Sequence, residues 1–138
     1  ENYQFIRSDI LSSLCRAEAG SANAMYPHKI FEIGKVAYLK DDENTGTITR
    51  QHIGFMTASA NANYNSLASE VSSLLYFLDH EYKVVETQDP RFIVGRQAGI
   101  LVNGEIVGTF GEIHPQVLEN WNISTPCVAA EIDLESLL

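Results

Sequence analysis

The sequence lacks the long apolar run of a membrane-spanning helix, and its N-terminus lacks the basic region and apolar stretch of a secretion signal. We therefore expect a soluble, cytoplasmic domain with no membrane contact. Cysteine is scarce as well: Cys15 and Cys127 have neither the number nor the spacing of a disulfide framework or a zinc site. Both thiols are expected to be reduced core residues, although the sequence leaves a disulfide between them open.

Positive charge is also in short supply. Eighteen acidic residues stand against nine basic ones, which gives a formal net charge of -9. Because the basic residues are scattered singly, no basic face forms to offset repulsion from a phosphate backbone. Direct binding of RNA by this domain is therefore not expected.

The familiar catalytic motifs are absent. No Gly-rich phosphate loop, Gly-x-Ser-x-Gly turn or His-Glu-x-x-His helix occurs, and the four histidines lie far apart. Glu112 and His114 would share one face of a strand as an acid-base pair, and Arg96 could bind a carboxylate. These three residues define an alternative interpretation as a ligand-binding or small catalytic domain, and structural roles for them are favoured.

Hydrophobic periodicity is present and indicates an ordinary folded domain. Of the 138 residues, 45% are hydrophobic, enough for one core. Apolar residues at three- and four-residue steps predict an amphipathic helix from Ser8, its N-cap, to about Met25. Pro27 ends this segment. A β-rich run over 30–39 and a second over 51–57 flank an acidic turn, which predicts an antiparallel hairpin.

The second half predicts a helix followed by further strands. One helical stripe runs from Leu67 to Leu78, and Asn103-Gly104 between two β-rich runs is typical of a tight hairpin turn. Pro115 is favoured at the first position of a short helix. We predict strands over 82–86, 98–102, 106–110 and 128–134. This order predicts one α+β domain over residues 1–138, with a mainly antiparallel sheet flanked by helices. Because it begins at Glu1 rather than Met, we expect a piece of a longer chain.

Several segments together carry a family resemblance. Residues 92–98, 103–108 and 111–118 form one set, and residues 7–11, Pro27 and 30–36 form a helix start, a proline and a Phe-Glu-x-Gly strand. Residues 128–138 match the end of the same family. The chain resembles the C-terminal core of phenylalanyl-tRNA synthetase beta chains, especially the archaeal type.

The resemblance implies a class II aminoacyl-tRNA synthetase-like fold in a non-catalytic copy. It implies no cofactor in this domain, whereas the catalytic alpha subunit uses ATP and magnesium to attach phenylalanine to tRNA. Alpha and beta cores pair, two pairs form a heterotetramer, and tRNA contacts this domain only through the whole complex. Class II catalysis needs arginines in Phe-Arg-x-Glu and Gly-x-Gly-x-x-Arg patterns, and the sequence contains neither pattern.

The resemblance also assigns residue roles. The first helix and the strand after it correspond to the element through which such cores associate, and without the alpha subunit this surface could form a homodimer. The predicted interface residues are Ile10, Leu11, Leu14, Glu18, Ala22, Met25 and Pro27. The predicted structural residues of the family motifs are Phe31, Glu32, Gly34, Gly95, Arg96, Gly108, Gly111, Glu112, His114 and Pro115.

Overall fold

The computed structural model describes residues 7–21, 23–39 and 46–138, and these form an α+β fold around one six-stranded antiparallel sheet. This confirms the predicted α+β class with a mainly antiparallel sheet flanked by helices. The strand order is β1-β2-β6-β5-β4-β3, with helices on both faces. The strands are β1 (His28–Leu39), β2 (Thr47–Ala58), β3 (Lys83–Val85), β4 (Phe92–Val102), β5 (Glu105–Ile113) and β6 (Cys127–Asp133). The helices are α1 (Leu11–Ala19), α2 (Tyr64–Phe77) and α3 (Pro115–Asn120), followed by a 3₁₀ turn at Leu134–Leu137.

Two hairpins and a central last strand build the sheet. β1 pairs with β2 along its full length, from His28 opposite Ala58 to Leu39 opposite Thr47, which confirms the first predicted hairpin. The predicted acidic tip at 41–45 lies outside the described residues. β6 lies between β2 and β5 and pairs with both, so the last strand of the chain is the most buried strand of the sheet.

The hairpin of β4 and β5 turns where the sequence predicts. Asn103 and Gly104 have φ of 51° and 82°, and a two-residue turn with positive φ at both positions matches the twist of the flanking strands. β4 begins earlier than predicted, at Phe92. Gly95 and Arg96 lie within β4 at a register shift between Phe92 and Gln97, where Gly95 takes φ of 81°.

The two later helices confirm their predictions. The Asn63 side chain caps α2 by accepting a hydrogen bond from the Ser66 N–H at 3.1 Å. Leu67, Val71 and Leu75 follow one stripe of α2 and are all buried. In α3, Pro115 occupies the first turn, where its missing N–H costs no hydrogen bond.

The first helix is shorter than predicted at both ends. α1 spans nine residues rather than the stretch from Ser8 to Met25, and Ser8 does not cap it. Its N-terminal N–H groups are instead satisfied by Asp9, which accepts from Ser12 at 3.2 Å, and by Glu131 from β6. After Ala19 the chain is rich in glycine, serine and alanine, which offer little apolar surface for a further helical turn.

The sheet separates two apolar layers. One layer lies between the sheet and the helices α1 and α3. The other lies between the opposite side of the sheet and α2. α1 approaches β2 very closely, because a Cβ placed on Gly54 would lie 2.6 Å from Cγ2 of Ile10 and 3.1 Å from Cδ1 of Leu14. Glycine at this position therefore fixes how near the helix lies to the sheet.

Candidate functional site

The apolar stripe of α1 does not form a free surface. Ile10, Leu11, Leu14 and Glu18 are at most 2% exposed, because these side chains pack on the chain's own sheet. Their predicted role at a subunit interface stays a prediction. Among the other predicted interface residues, Met25 is 91% exposed and Pro27 is exposed, while Ala22 lies outside the described residues. The role of the α1 region in subunit pairing stays a prediction.

An open apolar face lies on β1 instead. Phe31 is 72% exposed and Ile33 is 49% exposed. They stand opposite Phe55 and Ile53 of β2. α2 packs mainly over β5 and β6, and only its Glu70 and Leu74 side chains reach the cavity beside Phe31, so Phe31 and Ile33 stay exposed. We call Phe31, Ile33, Ile53 and Phe55 the β1–β2 face; beside it is a cavity of about 300 Å³.

The predicted Phe-Glu-x-Gly strand has a clear structural use. Glu32 forms an ion pair with Arg7, which also donates to the Ser13 hydroxyl at 2.9 Å and to the Lys35 carbonyl at 3.0 Å. The Arg7 guanidinium occupies the space where a side chain at Gly34 would project. Glu32 and Gly34 therefore fix the segment that precedes α1 against β1.

A buried carboxylate connects α1 to the sheet. Glu131 on β6 is 5% exposed and lies next to His52, whose Nδ1–H donates to it at 2.7 Å. Its other oxygen accepts from the Leu11 N–H and from Arg91, both at 3.1 Å. Burial acts to raise the pKa of Glu131, but these hydrogen bonds and the Arg91 charge outweigh it and hold the pKa below its ordinary value.

Arg91 forms ion pairs with three carboxylate side chains. It pairs with Asp89 at 2.8 Å, with Asp9 at 3.1 Å and with Glu131. Burial opposes ionisation of Asp89, yet hydrogen bonds from Arg91 lower the net pKa of that carboxyl. Reasoning from sequence missed this network, because its members come from four separate segments and no local spacing connects them.

A second buried ion pair lies at the C-terminal end of α1. His28, the first residue of β1, donates from Nδ1 to Glu18 at 2.8 Å, and both side chains are buried. This hydrogen bond raises the pKa of His28, against the opposing effect of burial. Tyr26 stacks on the imidazole at a centroid distance of 4.0 Å. Within the described residues, Nε2 of His28 is buried without a hydrogen-bond partner.

The alternative interpretation as a ligand-binding or catalytic domain depends on Arg96, Glu112 and His114, and each of them has a structural role. Arg96 pairs with Glu112 at 3.2 Å, and Glu112 also accepts from the Tyr64 N–H at the start of α2. His114 caps α3, because its Nδ1 accepts from the Gln116 N–H at 3.0 Å. Arg96 and Glu112 line a cavity of about 280 Å³, and His114 is not among its lining residues. The structure thus brings two of the three together and leaves the third apart.

The remaining predicted motif residues lie at crowded points of the sheet. A Cβ on Gly108 would lie 2.5 Å from the Glu131 carbonyl oxygen, and one on Gly111 would lie 2.6 Å from the Arg96 carbonyl oxygen. Glycine at both positions therefore permits neighbouring backbone to approach closely.

The two thiols are free and buried, so the prediction of reduced core cysteines is confirmed. Burial raises the pKa of Cys15 to about 11 and that of Cys127 to about 12. In the described part of the chain, no group of three or more His, Cys, Asp or Glu side chains could hold a metal ion. No helix over the same residues has the length and apolar character to cross a membrane.

Comparison with known proteins gives one consistent result. A family described as the phenylalanyl tRNA synthetase beta chain CLM domain matches residues 1–134. The chain belongs to this family. The phenylalanine–tRNA ligase beta subunit of Treponema pallidum subsp. pallidum is 56% identical over all 138 residues, which are 23% of that relative. The beta subunit of Borrelia duttonii is 44% identical over the same span and is covered to 24%.

Membership in the CLM domain family confirms the resemblance to phenylalanyl-tRNA synthetase beta chains. The chain spans about a quarter of the length of the curated relatives it matches. These relatives are bacterial, and the comparisons support neither the archaeal type nor the C-terminal class II core that the resemblance implied.

Proposed function

We propose that this domain is a non-catalytic, class II synthetase-like core of a phenylalanyl-tRNA synthetase beta chain, and that it serves assembly with the catalytic alpha subunit. The family match over residues 1–134 supports the parent enzyme. An antiparallel sheet flanked by helices agrees with such a core. The absence of both arginine patterns from the sequence supports a role without chemistry.

The exposed β1–β2 face is the observation that carries the assembly role. Phe31 is one of the most exposed large apolar side chains of the described chain, and its strand follows the α1 region directly. Burying such an aromatic side chain contributes about 1.5–3 kcal/mol relative to leaving it in water. Because the stripe of α1 is buried, we place the contact with the alpha subunit on β1, with Met25 and Pro27 beside it.

Within this proposal, ATP binding, aminoacylation and tRNA binding belong to the whole complex of alpha and beta subunits. The alpha subunit binds ATP and magnesium and joins phenylalanine to tRNA in the cytoplasm, and tRNA contacts this domain only within the alpha–beta heterotetramer. The domain's net charge of -9 agrees with a part that does not bind tRNA alone. When the alpha subunit is missing, the same β1–β2 face is the surface through which two copies would form a homodimer.

Co-purification with a phenylalanyl-tRNA synthetase alpha subunit tests the proposal. A tagged 138-residue chain is expressed with the alpha subunit, and the ratio of the two after affinity and size-exclusion steps is measured. We expect Phe31→Asp to abolish co-purification, because it places a charge in the centre of the apolar face. Val94→Asp is the matched control, since Val94 is 84% exposed on β4, away from this face.

Two outcomes would contradict the proposal. Equal recovery of the alpha subunit by the unchanged chain and by Phe31→Asp would exclude the β1–β2 face. Saturable binding of phenylalanine or ATP to the isolated chain by calorimetry, abolished by Arg96→Ala, would contradict the non-catalytic role and favour the ligand-binding alternative.

A further inference from the structure

Two aromatic side chains, Tyr76 and Phe77, are exposed at the C-terminal end of α2. They lie outside the buried stripe of Leu67, Val71 and Leu75, so packing of the helix on the sheet does not account for them. Tyr76 is 79% exposed and Phe77 is 83% exposed, and their rings meet edge to face at a centroid distance of 5.8 Å. Asp79, with φ of 60°, ends the helix, and the His80 N–H returns to the Leu75 carbonyl at 2.9 Å. This tight helix end places the aromatic pair at the surface beside the last turn of α2.

A groove runs beside the aromatic pair. It measures about 710 Å³ and lies between the end of α2 and the strands β3 and β4, with Tyr76, His80, Tyr82 and Asn103 among its lining residues. A second cavity of about 520 Å³ continues around Tyr76 to Phe77. We call this continuous surface the α2–β3 groove.

The charges of the groove favour a cationic occupant. Asp79 and Glu81 line it, and Lys83 is the one lysine or arginine among the lining residues, which also include His80. The C-terminal end of a helix carries partial negative charge, and the last turn of α2 contains no basic residue to offset it. A lysine or arginine side chain would find both negative charge and the faces of two aromatic rings here.

The edge of the sheet supplies a way to bind extended backbone. β3 is the terminal strand of the sheet, and among the described residues only β4 pairs with it. Val84 in the middle of β3 is 53% exposed. A segment that lies along this edge can form main-chain hydrogen bonds while its side chains reach the groove.

We propose that the α2–β3 groove binds an extended segment of another protein that carries lysine or arginine. The site is distinct from the proposed assembly face, since β1 and β3 are the two opposite edges of the sheet. The net charge of -9 disfavours a second copy of this acidic chain as occupant, and it disfavours RNA for the same reason. A basic protein segment satisfies the charge, the aromatic pair and the open strand together.

Fluorescence anisotropy with a labelled short peptide of alternating lysine and valine tests the proposal. We expect saturable binding to the 138-residue chain that weakens as salt is raised. The double variant Tyr76→Ser, Phe77→Ser is expected to lose at least about tenfold in affinity, as aromatic anchors of an interface do. Val94→Ser, also an exposed apolar site but on β4, is expected to bind as the unchanged chain does.

A second variant guards against loss of folding. Glu81→Lys reverses one charge on an exposed side chain and is expected to weaken binding by at least about threefold, with the circular dichroism spectrum unchanged. The proposal is overturned by absence of saturable binding, by equal affinity for a glutamate–valine peptide, or by equal affinity of the aromatic variant. It is also overturned if light scattering shows a dimer that this variant dissociates, since a second copy would then be the occupant.

Discussion

The carboxylate of Glu131 accepts a hydrogen bond at 3.1 Å from the backbone N–H of Leu11, the first residue of α1. A side chain of the last strand thereby provides the hydrogen-bond acceptor for an N–H group at the start of the first helix. The negative charge also lies at the positive end of the helix dipole, where it is favourable. The position of α1 on the sheet therefore depends on a residue of the central strand.

Replacement of Glu131 by glutamine is expected to destabilise the fold by about 3 kcal/mol, because it removes a buried charge that pairs with Arg91 and His52. The pKa of Glu131 is depressed in the folded chain. Its contribution is therefore present above the unfolded pKa of about 4.3 and is lost as the pH falls through the folded value. Urea unfolding at pH 7 and at successively lower pH measures both effects.

Glu86→Gln is the control for this prediction, because Glu86 is exposed. It is expected to change the free energy of unfolding by less than about 0.5 kcal/mol. The Glu131 variant should show a flatter loss of stability toward acid than the unchanged chain. If the two chains lose stability in parallel as the pH falls, Glu131 is not the carboxylate that couples folding to pH.

The spacing of α1 from the sheet gives a second prediction. Gly54→Ala places a Cβ 2.6 Å from Cγ2 of Ile10, so the helix must shift or the side chain must leave its rotamer. Such overpacking costs about 1–3 kcal/mol. Gly20→Ala is the matched control, because its Cβ would meet no atom closer than 3.7 Å and its φ of -79° suits alanine. Equal stability of the two variants by thermal unfolding would contradict this packing.

These contacts also show which features the sequence could predict. The stripe of Leu67, Val71 and Leu75 and the turn at Asn103-Gly104 depend on neighbouring residues, so periodicity and turn chemistry were sufficient to find them. The same holds for the proline that starts α3. The family resemblance added the role of the parent enzyme, which no local pattern carries.

The errors came from long-range contacts. The pattern of α1 predicted an apolar stripe correctly but could not tell a surface that meets a partner from one that meets the chain's own sheet. Its start was also misplaced, because the group that satisfies Leu11 lies on β6. The role of Arg91 could not be predicted from the sequence, because its ion pairs form only where Asp9, Asp89 and Glu131 converge in the fold.

The pair of His28 and Glu18 gives a third prediction. The hydrogen bond that His28 donates to Glu18 raises the pKa of His28 in the folded chain. The pair therefore stabilises the fold fully below the unfolded pKa of about 6.5, and this contribution is lost as the pH rises through the folded value. Histidine resonances followed by NMR against pH should place the His28 midpoint above 6.5.

The Glu18→Gln variant tests the cause of this shift. Without the carboxylate, the largest cause of the raised pKa is removed while burial still disfavours the charged imidazole, so the His28 midpoint should fall below that of the unchanged chain. Glu119→Gln alters an exposed residue of α3 and should leave the midpoint where it was. If the His28 midpoint is the same in Glu18→Gln and in the unchanged chain, the ion pair between His28 and Glu18 is excluded.

The buried thiols give the last prediction. Burial raises the pKa of Cys15 to about 11 and that of Cys127 to about 12, and thiolates are the reactive form of cysteine. At pH 8 both should therefore resist a thiol-specific reagent such as dithionitrobenzoate, and both should react at once in concentrated urea. Gly54→Ala should raise the rate for Cys15, because α1 carries Cys15 and loosens from the sheet in that variant. Fast labelling of either thiol in the unchanged, folded chain would contradict their burial in the apolar layer between α1 and the sheet.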